Sequence, residues 1–369
     1  MKKKCLKKSR RIIHTATIRS KEREFSKKEA LCLFFLYIFF VYNNFMKNDR
    51  KLTAFIVPTG IGANIGGYAG DAGFWARRFA KYSDLIVNPN VVNAGCFSAI
   101  TENMLYVEGY SLDEFFKGNL YLKKPIKNKV GVIFDKSIPK DVLNIHINTL
   151  NAVRVVYDID IIYETTQEAV GVEFYVDETK ISTGLVNNTE TILNCAKELK
   201  SKGADALAIV CRFDEDTLND DYENGVGVDP IGGVEAIISH YISKEMLMPA
   251  AHAPAFDDFS ISTNLVNPKS AAEYITPTFL PCILIGLANA PRLTKEKSVD
   301  TISIDDLDYL IMPYNSLGAV PVFEALKRKI PVYAIAENTT VLDVTKNNLH
   351  LDDIIVTDSY QSCLELIAR

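Results

Sequence analysis

Residues 58–73 read Pro58-Thr59-Gly60-Ile61-Gly62-Ala63-Asn64-Ile65-Gly66-Gly67-Tyr68-Ala69-Gly70-Asp71-Ala72-Gly73, between a short apolar run and the helix-like Phe74-Trp75-Ala76-Arg77-Arg78-Phe79-Ala80. Six glycines in fourteen residues bring the backbone close to a neighbour, because glycine alone tolerates positive φ and near approach. Asp84-Leu85-Ile86-Val87 follows as a strand, so residues 53–87 make a β-loop-α-β unit, the building block of parallel sheets. The polar turn at 88–96 then falls at the carboxyl end of that strand, the edge where open α/β sheets bind ligands.

The same alternation returns downstream. A strand at 104–107 leads to a short helix opened by a Ser111 cap, with Glu114 in the capping-box place. Val130-Gly131-Val132-Ile133-Phe134 reads as a buried strand, and 139–157 as a helix with Val142, Ile145, Leu150 and Val153 near one face. Strands at 159–163 and 170–176, a helix at 189–202 and a strand at 206–210 complete a block, 128–212, self-contained enough to form its own lobe. The stretch 248–258, with prolines at 249 and 254, is too irregular for helix or strand, whereas the apolar run 278–287 belongs in the centre of a core. Residues 308–337 are again β-turn-α-β. The expected class is α/β, with mostly parallel sheets and flanking helices in two lobes.

Charge divides the chain. Residues 1–45 carry twelve Lys/Arg against three Asp/Glu, while 46–369 carry 29 basic and 43 acidic side chains. A body with a net charge of −14 repels nucleic acid and anionic membrane, so neither is an expected partner. The apolar run 30–42 would span only about 20 Å as a helix, short of a hydrocarbon core of about 30 Å. Met46 therefore reads as the native start, with 1–45 outside the fold and 46–369 as the α/β body. A membrane anchor is the alternative if the head is genuine. The seven cysteines show no CxxC pair and no even spacing, which fits a reducing, cytoplasmic setting.

Four groups of residues are candidates for chemistry. In the first, Thr59, Gly60, Gly62, Asn64, Gly66 and Gly67 could cradle an anion on backbone amides at a helix start. The dinucleotide fingerprint fails at Ile65 and at Asn88, and no Walker lysine follows, so no cofactor is assigned. The second is Cys211, which ends a strand at the carboxyl edge of a sheet, with Cys96 as a second thiol. Third come Asp229, Glu235, His240, His252, Asp257 and Asp258, with His252 in a loop. They lack metal-ligand spacing, so no metal is assigned, and the acidic residues 214–223 read as a solvated loop. The fourth comprises Asn315 and Ser316 with Glu337 and Asn338, which follow two strands and can line the same pocket as Asn90, Asn93 and the glycine loop. They serve equally well as helix caps.

Residues 199–211 resemble the aspartate/glutamate racemase superfamily, in which a catalytic cysteine ends a strand after a Gly-Ala-Asp-like lead, here Gly203-Ala204-Asp205. That resemblance implies proton transfer between two thiols, Cys96 and Cys211. Arg212 stands where the superfamily has threonine, and Cys96 lacks an Asn-Thr neighbour. Residues 46–369 as a whole resemble a bacterial and plastid-lineage family of proteins of unknown function. The lines carrying this are Pro58-Thr59-Gly60-Ile61-Gly62, Asn88-Pro89-Asn90-Val91-Val92-Asn93, His252-Ala253-Pro254, Thr278-Phe279-Leu280-Pro281-Cys282 and Ala336-Glu337-Asn338. This second resemblance implies no activity. The leading expectation is an isomerase- or lyase-type enzyme acting on a small anionic metabolite, with Cys211, Cys96 and His252 moving protons. The alternative is a non-catalytic sensor of a nucleotide or carboxylate.

Overall fold

In the first strand, β1 (Lys51–Phe55), Phe55 enters one core while Leu52 and Ala54 enter another, the mark of a strand covered on both faces. The structure, a computed structural model, describes residues 50–68, 71–213, 222–256 and 263–368. The expectations about 1–45 and Met46 as the start lie outside the described residues, as do those on Asp214, Glu215, Asp216, Asp220, Asp221, Asp257 and Asp258.

The principal strands continue as β2 (Ser83–Val87), β3 (Met104–Tyr106), β4 (Val130–Phe134), β5 (Ile161–Thr165) and β6 (Ala206–Arg212). Then come β7 (Ala250–Ala255), β8 (Tyr309–Pro313), β9 (Val332–Ile335) and β10 (Ile354–Thr357). The principal helices are α1 (Asp71–Phe79), α2 (Gly109–Lys117), α3 (Lys140–Tyr157) and α4 (Thr189–Ser201), then α5 (Gly232–Met246), α6 (Leu280–Ala288), α7 (Val320–Lys327) and α8 (Tyr360–Ile367).

Two wholly parallel sheets result. The first runs β10-β9-β8-β1-β2-β3, so strand order reverses between β1 and β8. Phe79 of α1 and Tyr360 of α8 join the core on one face, and Phe115 of α2 and Val322 of α7 the core on the other. The second sheet runs β7-β6-β4-β5. It takes three strands from within 128–212 and its fourth from Ala250–Ala255. Leu199 of α4 and Val234 of α5 cover one of its faces, and Leu150 of α3 the other. A hairpin, Val172–Val176 with Ser182–Val186, flanks α5.

The apolar run at 278–287 becomes α6, whose Leu280, Leu284 and Leu287 are buried in a core containing residues of both sheets. Two local expectations need correction. The segment at 248–258 contains a regular strand, β7, so His252 lies on an edge strand and not in a loop. Ser111 is not the cap of α2. Its N-cap is Glu108, whose carboxylate accepts from Tyr110 N at 2.7 Å and Ser111 N at 2.8 Å.

Candidate functional site

The reversal of strand order between β1 and β8 creates the crevice in which such sheets usually bind ligands. Here the chain's own carboxyl-terminal segment closes it. Asn64 N donates to Thr339 O at 2.8 Å, and Val341 N donates to Ile61 O at 3.0 Å. Asn338 accepts from Ile65 N and donates to Ile65 O, and Gly66 N donates to the Asp71 carboxylate. The Asn315 side chain accepts from Thr340 N at 2.7 Å and donates to Thr340 O and Leu342 O. Glu337 accepts from Tyr360 N at 2.7 Å, while Ser316 bridges to Val344. Gly60, with φ +74°, packs against Ser182, and Gly62 against Val228 and Val341. Gly62, Asn64, Asn315, Ser316 and Asn338 are thus engaged in closing the crevice, Gly60, Gly66 and Glu337 are engaged by Ser182, Asp71 and Tyr360, and none of the eight lines the cavity beside it.

That cavity has a volume of about 530 Å³ and opens where the turns after β1 and β2 approach β7 and the start of α5. Thr59, Gly67, Asn90 and Asn93 reach it from the first sheet. Asn88 holds the two turns together, accepting from Val57 N at 3.1 Å and donating to Val57 O at 2.7 Å. From the second sheet come His252 on β7 and Asp229, Gly232 and Glu235 around the N-terminus of α5. Tyr68, Tyr222 and Glu273 contribute a further wall, and α6 supplies Cys282.

Glu235 and His252 face one another, Oε2 to Nε2, at 3.7 Å. Glu235 sits one turn into α5, and its Oε1 has no hydrogen-bond partner. Burial pushes its carboxyl well above the usual carboxylate range, and the nearby charges of Asp229 and Glu273 push it the same way. Burial acts oppositely on His252, lowering its imidazole to about 3. Burial therefore favours the neutral form of each group. The Nδ1 of His252 lies 3.0 Å from Ser239 Oγ, whose own proton is directed to Ala236 O at 3.2 Å. We accordingly assign the imidazole proton to Nδ1, which leaves Nε2 as an acceptor.

The other cavity acids are more fully engaged. Asp229 accepts from Ile231 N at 3.0 Å, and the Gly232 amide also lowers its pKa, but burial raises it more. Glu273 accepts from Tyr222 Oη at 3.1 Å. Tyr68 and Tyr222 stack with ring centres 4.8 Å apart, and burial raises the Tyr68 phenol to about 12. Burial likewise lifts the Cys282 thiol to about 12.

Cys211 packs in the core between β6 and helices α4 and α5, and burial pushes its thiol well above the ordinary value. Cys96 is half-buried, its amide donating to Thr276 Oγ1 at 3.0 Å. Neither thiol lines the cavity. Among the described residues, no group of three or more His, Cys, Asp or Glu side chains is placed to hold a metal ion. Tyr68, Tyr222 and Glu273 had no motif to mark them, and Cys282 stood only at the end of the line 278–282. Only the position of Tyr68 directly after Gly67 gave a local signal.

Fold and cavity together define an α/β protein with an acid–imidazole site between two parallel sheets. Residues 52–369 match the family described as Protein of unknown function (DUF3326), and the chain belongs to that family. It is similar to the uncharacterized lipoprotein syc1174_c of Synechococcus sp. (strain ATCC 27144 / PCC 6301 / SAUG 1402/1), at 36% identity over 303 residues, 80% of this chain and 84% of that protein. No solved structure matches. Neither finding points to the racemases. Among the described residues, no helix is long and apolar enough to cross a membrane.

Proposed function

We propose that the protein is an enzyme of isomerase or lyase type that moves a proton on a small molecule held in this cavity. The observation that supports it most is the facing pair Glu235 and His252, 3.7 Å apart on residues that line the cavity, with burial favouring the neutral form of each. A neutral imidazole accepts a proton at Nε2, and a protonated carboxyl gives one up. One substrate atom loses its proton to His252 while another receives the proton of Glu235, so the product of the isomerisation is a tautomer of the substrate. The pair is restored by exchange with solvent, which takes the proton of the imidazolium and returns one to the carboxylate. Ser239 is a positioning residue that fixes the His252 tautomer.

The test is incubation of the protein with a metabolite extract in D2O, read by mass spectrometry. At least one metabolite is expected to gain a deuterium, and both His252→Asn and Glu235→Met are expected to abolish the gain. No gain with the unaltered protein would discard the enzyme in favour of a non-catalytic binding protein.

The same reading puts the protein in the cytoplasm, supported by the free cysteines at 96, 195, 211, 282 and 363. The name of the Synechococcus relative makes a lipid-anchored form the competing reading. Recovery of the native protein in the membrane fraction would decide for the anchor.

A further inference from the structure

We infer that the ligand of this cavity carries an organic ammonium group, a deduction that rests on reading the cavity as the substrate site. Two residues of its wall carry a buried oxygen acceptor with no protein donor, Glu235 at Oε1 and Asn93 at Oδ1. Glu235 is only 6% exposed. A buried polar atom left unpaired is costly, and ligand N–H donors would relieve both oxygens. An ionised carboxylate or a fully ionised phosphate brings acceptors alone and would leave the two unsatisfied.

Charge favours the same occupant. Asp229 and Glu273 share the lining with Glu235, and no Lys or Arg lines the cavity among the described residues. The sequences 214–221 and 257–262 contain neither. The glycine-loop amides of Asn64, Ile65 and Gly66, which an anion would need, are engaged by Thr339, Asn338 and Asp71. An anionic metabolite would meet no Lys or Arg in the described lining, and Lys269 beside it already donates to Asn64 O at 2.8 Å.

The rings complete the match. Tyr68 and Tyr222 line the cavity as a stacked pair, and an aromatic face attracts a cation within about 6 Å of its centre. The Tyr68 ring is already taken by Lys269 Nζ at 5.8 Å, which leaves the Tyr222 ring for the ligand. An uncharged alcohol would supply donors but gain nothing from the carboxyls or the rings. Binding and proton transfer use different oxygens of Glu235: Oε1 accepts from the ammonium, while Oε2 faces His252 and carries the proton.

The test is calorimetric titration of the full chain with n-butylammonium, n-butanol and butyrate as probes. Butylammonium is expected to bind saturably and the other two not at all. Glu235→Met is expected to weaken butylammonium about tenfold or more by removing the acceptor. Glu273→Gln, on a partly exposed segment, is expected to weaken it through loss of charge and keeps the test valid if the first variant fails to fold. Butyrate or butanol binding as well as butylammonium would overturn the ammonium assignment, as would butylammonium binding equally to both variants. Deuterium gain without butylammonium binding would remove this inference and leave the acid–base reading standing. Butylammonium binding without deuterium gain would do the reverse.

Discussion

Asn338 clamps the peptide of Ile65 at both ends: its Oδ1 accepts from Ile65 N at 2.9 Å, and its Nδ2 donates to Ile65 O at 2.8 Å. The same Nδ2 donates to Tyr360 Oη at 2.7 Å. One fully buried amide therefore joins the glycine loop, the turn after β9 and α8, and keeps the crevice between β1 and β8 shut. The open space lies instead in the neighbouring cavity.

Asn338→Ala is accordingly expected to cost about 3 kcal/mol, since three hydrogen bonds vanish and the buried groups they satisfied are left unpaired. Urea unfolding measures it as a lower midpoint at unchanged slope. A loss below about 1 kcal/mol would mean that the surrounding backbone bonds hold the loop without the side chain.

Most of the fold could be read from the chain. Val130–Phe134 and Tyr309–Pro313 are apolar runs of strand length, as buried parallel strands are, although the run that forms the buried helix α6 looks much the same. Strand β7 escaped notice because it reads Ala250-Ala251-His252-Ala253-Pro254-Ala255, residues of low strand propensity. Two tertiary facts override that propensity. Ala251, Ala253 and Ala255 join the core in which α6 lies, where small side chains permit close approach, and Pro254 is tolerated because β7 is an edge strand. The site was less legible. Glu235 and His252 stood in the acidic and imidazole cluster, but that Glu235 would be buried with one oxygen unpaired depends on segments far away in sequence. The glycine loop drew attention for the right geometry, and what approaches it closely is the chain itself.

His252 makes stability depend on pH with a definite sign. Its folded-state pKa, about 3, lies below the ordinary 6.5, so the unfolded chain takes up the proton first as pH falls. Its contribution is complete above pH 6.5 and is lost progressively toward pH 3, at up to about 1.4 kcal/mol per pH unit. His252→Asn, which keeps a polar group beside Ser239, is expected to flatten the fall between pH 6.5 and 5, where ordinary carboxylates stay ionised. His146 and His240 are also lowered by burial, but they are present in both proteins and cancel in the comparison. Urea midpoints measured across that interval test this, and parallel curves would show that His252 titrates as it does in water.

Glu235 has the opposite sign. Its folded-state pKa is raised above the ordinary 4.5, so its contribution is complete below that pH and is lost as pH rises toward the folded value. Glu235→Met removes a buried carboxyl with an unpaired oxygen and puts a flexible apolar side chain in its place. At pH 7 the variant is expected to be more stable by about 1–3 kcal/mol, with the gain shrinking near pH 4 to the part owed to the unpaired oxygen. Thermal unfolding at the two pH values measures it. A destabilised variant at pH 7 would mean that Glu235 is structurally satisfied, which the functional reading does not allow.

Gly95 tests whether the cavity wall depends on the close approach of two turns. Its φ is +58°, and a Cβ placed there would meet Ala272 O at 2.3 Å and Thr276 Oγ1 at 2.5 Å. Backbone oxygen cannot swing aside, so Gly95→Ala must push away the segment that carries Glu273 and Thr276, both of which line the cavity. The expected cost is about 2–4 kcal/mol, together with weakened butylammonium binding. Gly203→Ala is the control, because Gly203 has φ +88° with nothing within 4 Å of the added carbon. It carries only the backbone penalty of about 1 kcal/mol and is expected to leave binding unchanged. Equal losses of stability in the two variants, with binding intact in both, would show that the wall tolerates displacement and that the approach of Gly95 to Ala272 does not shape the site.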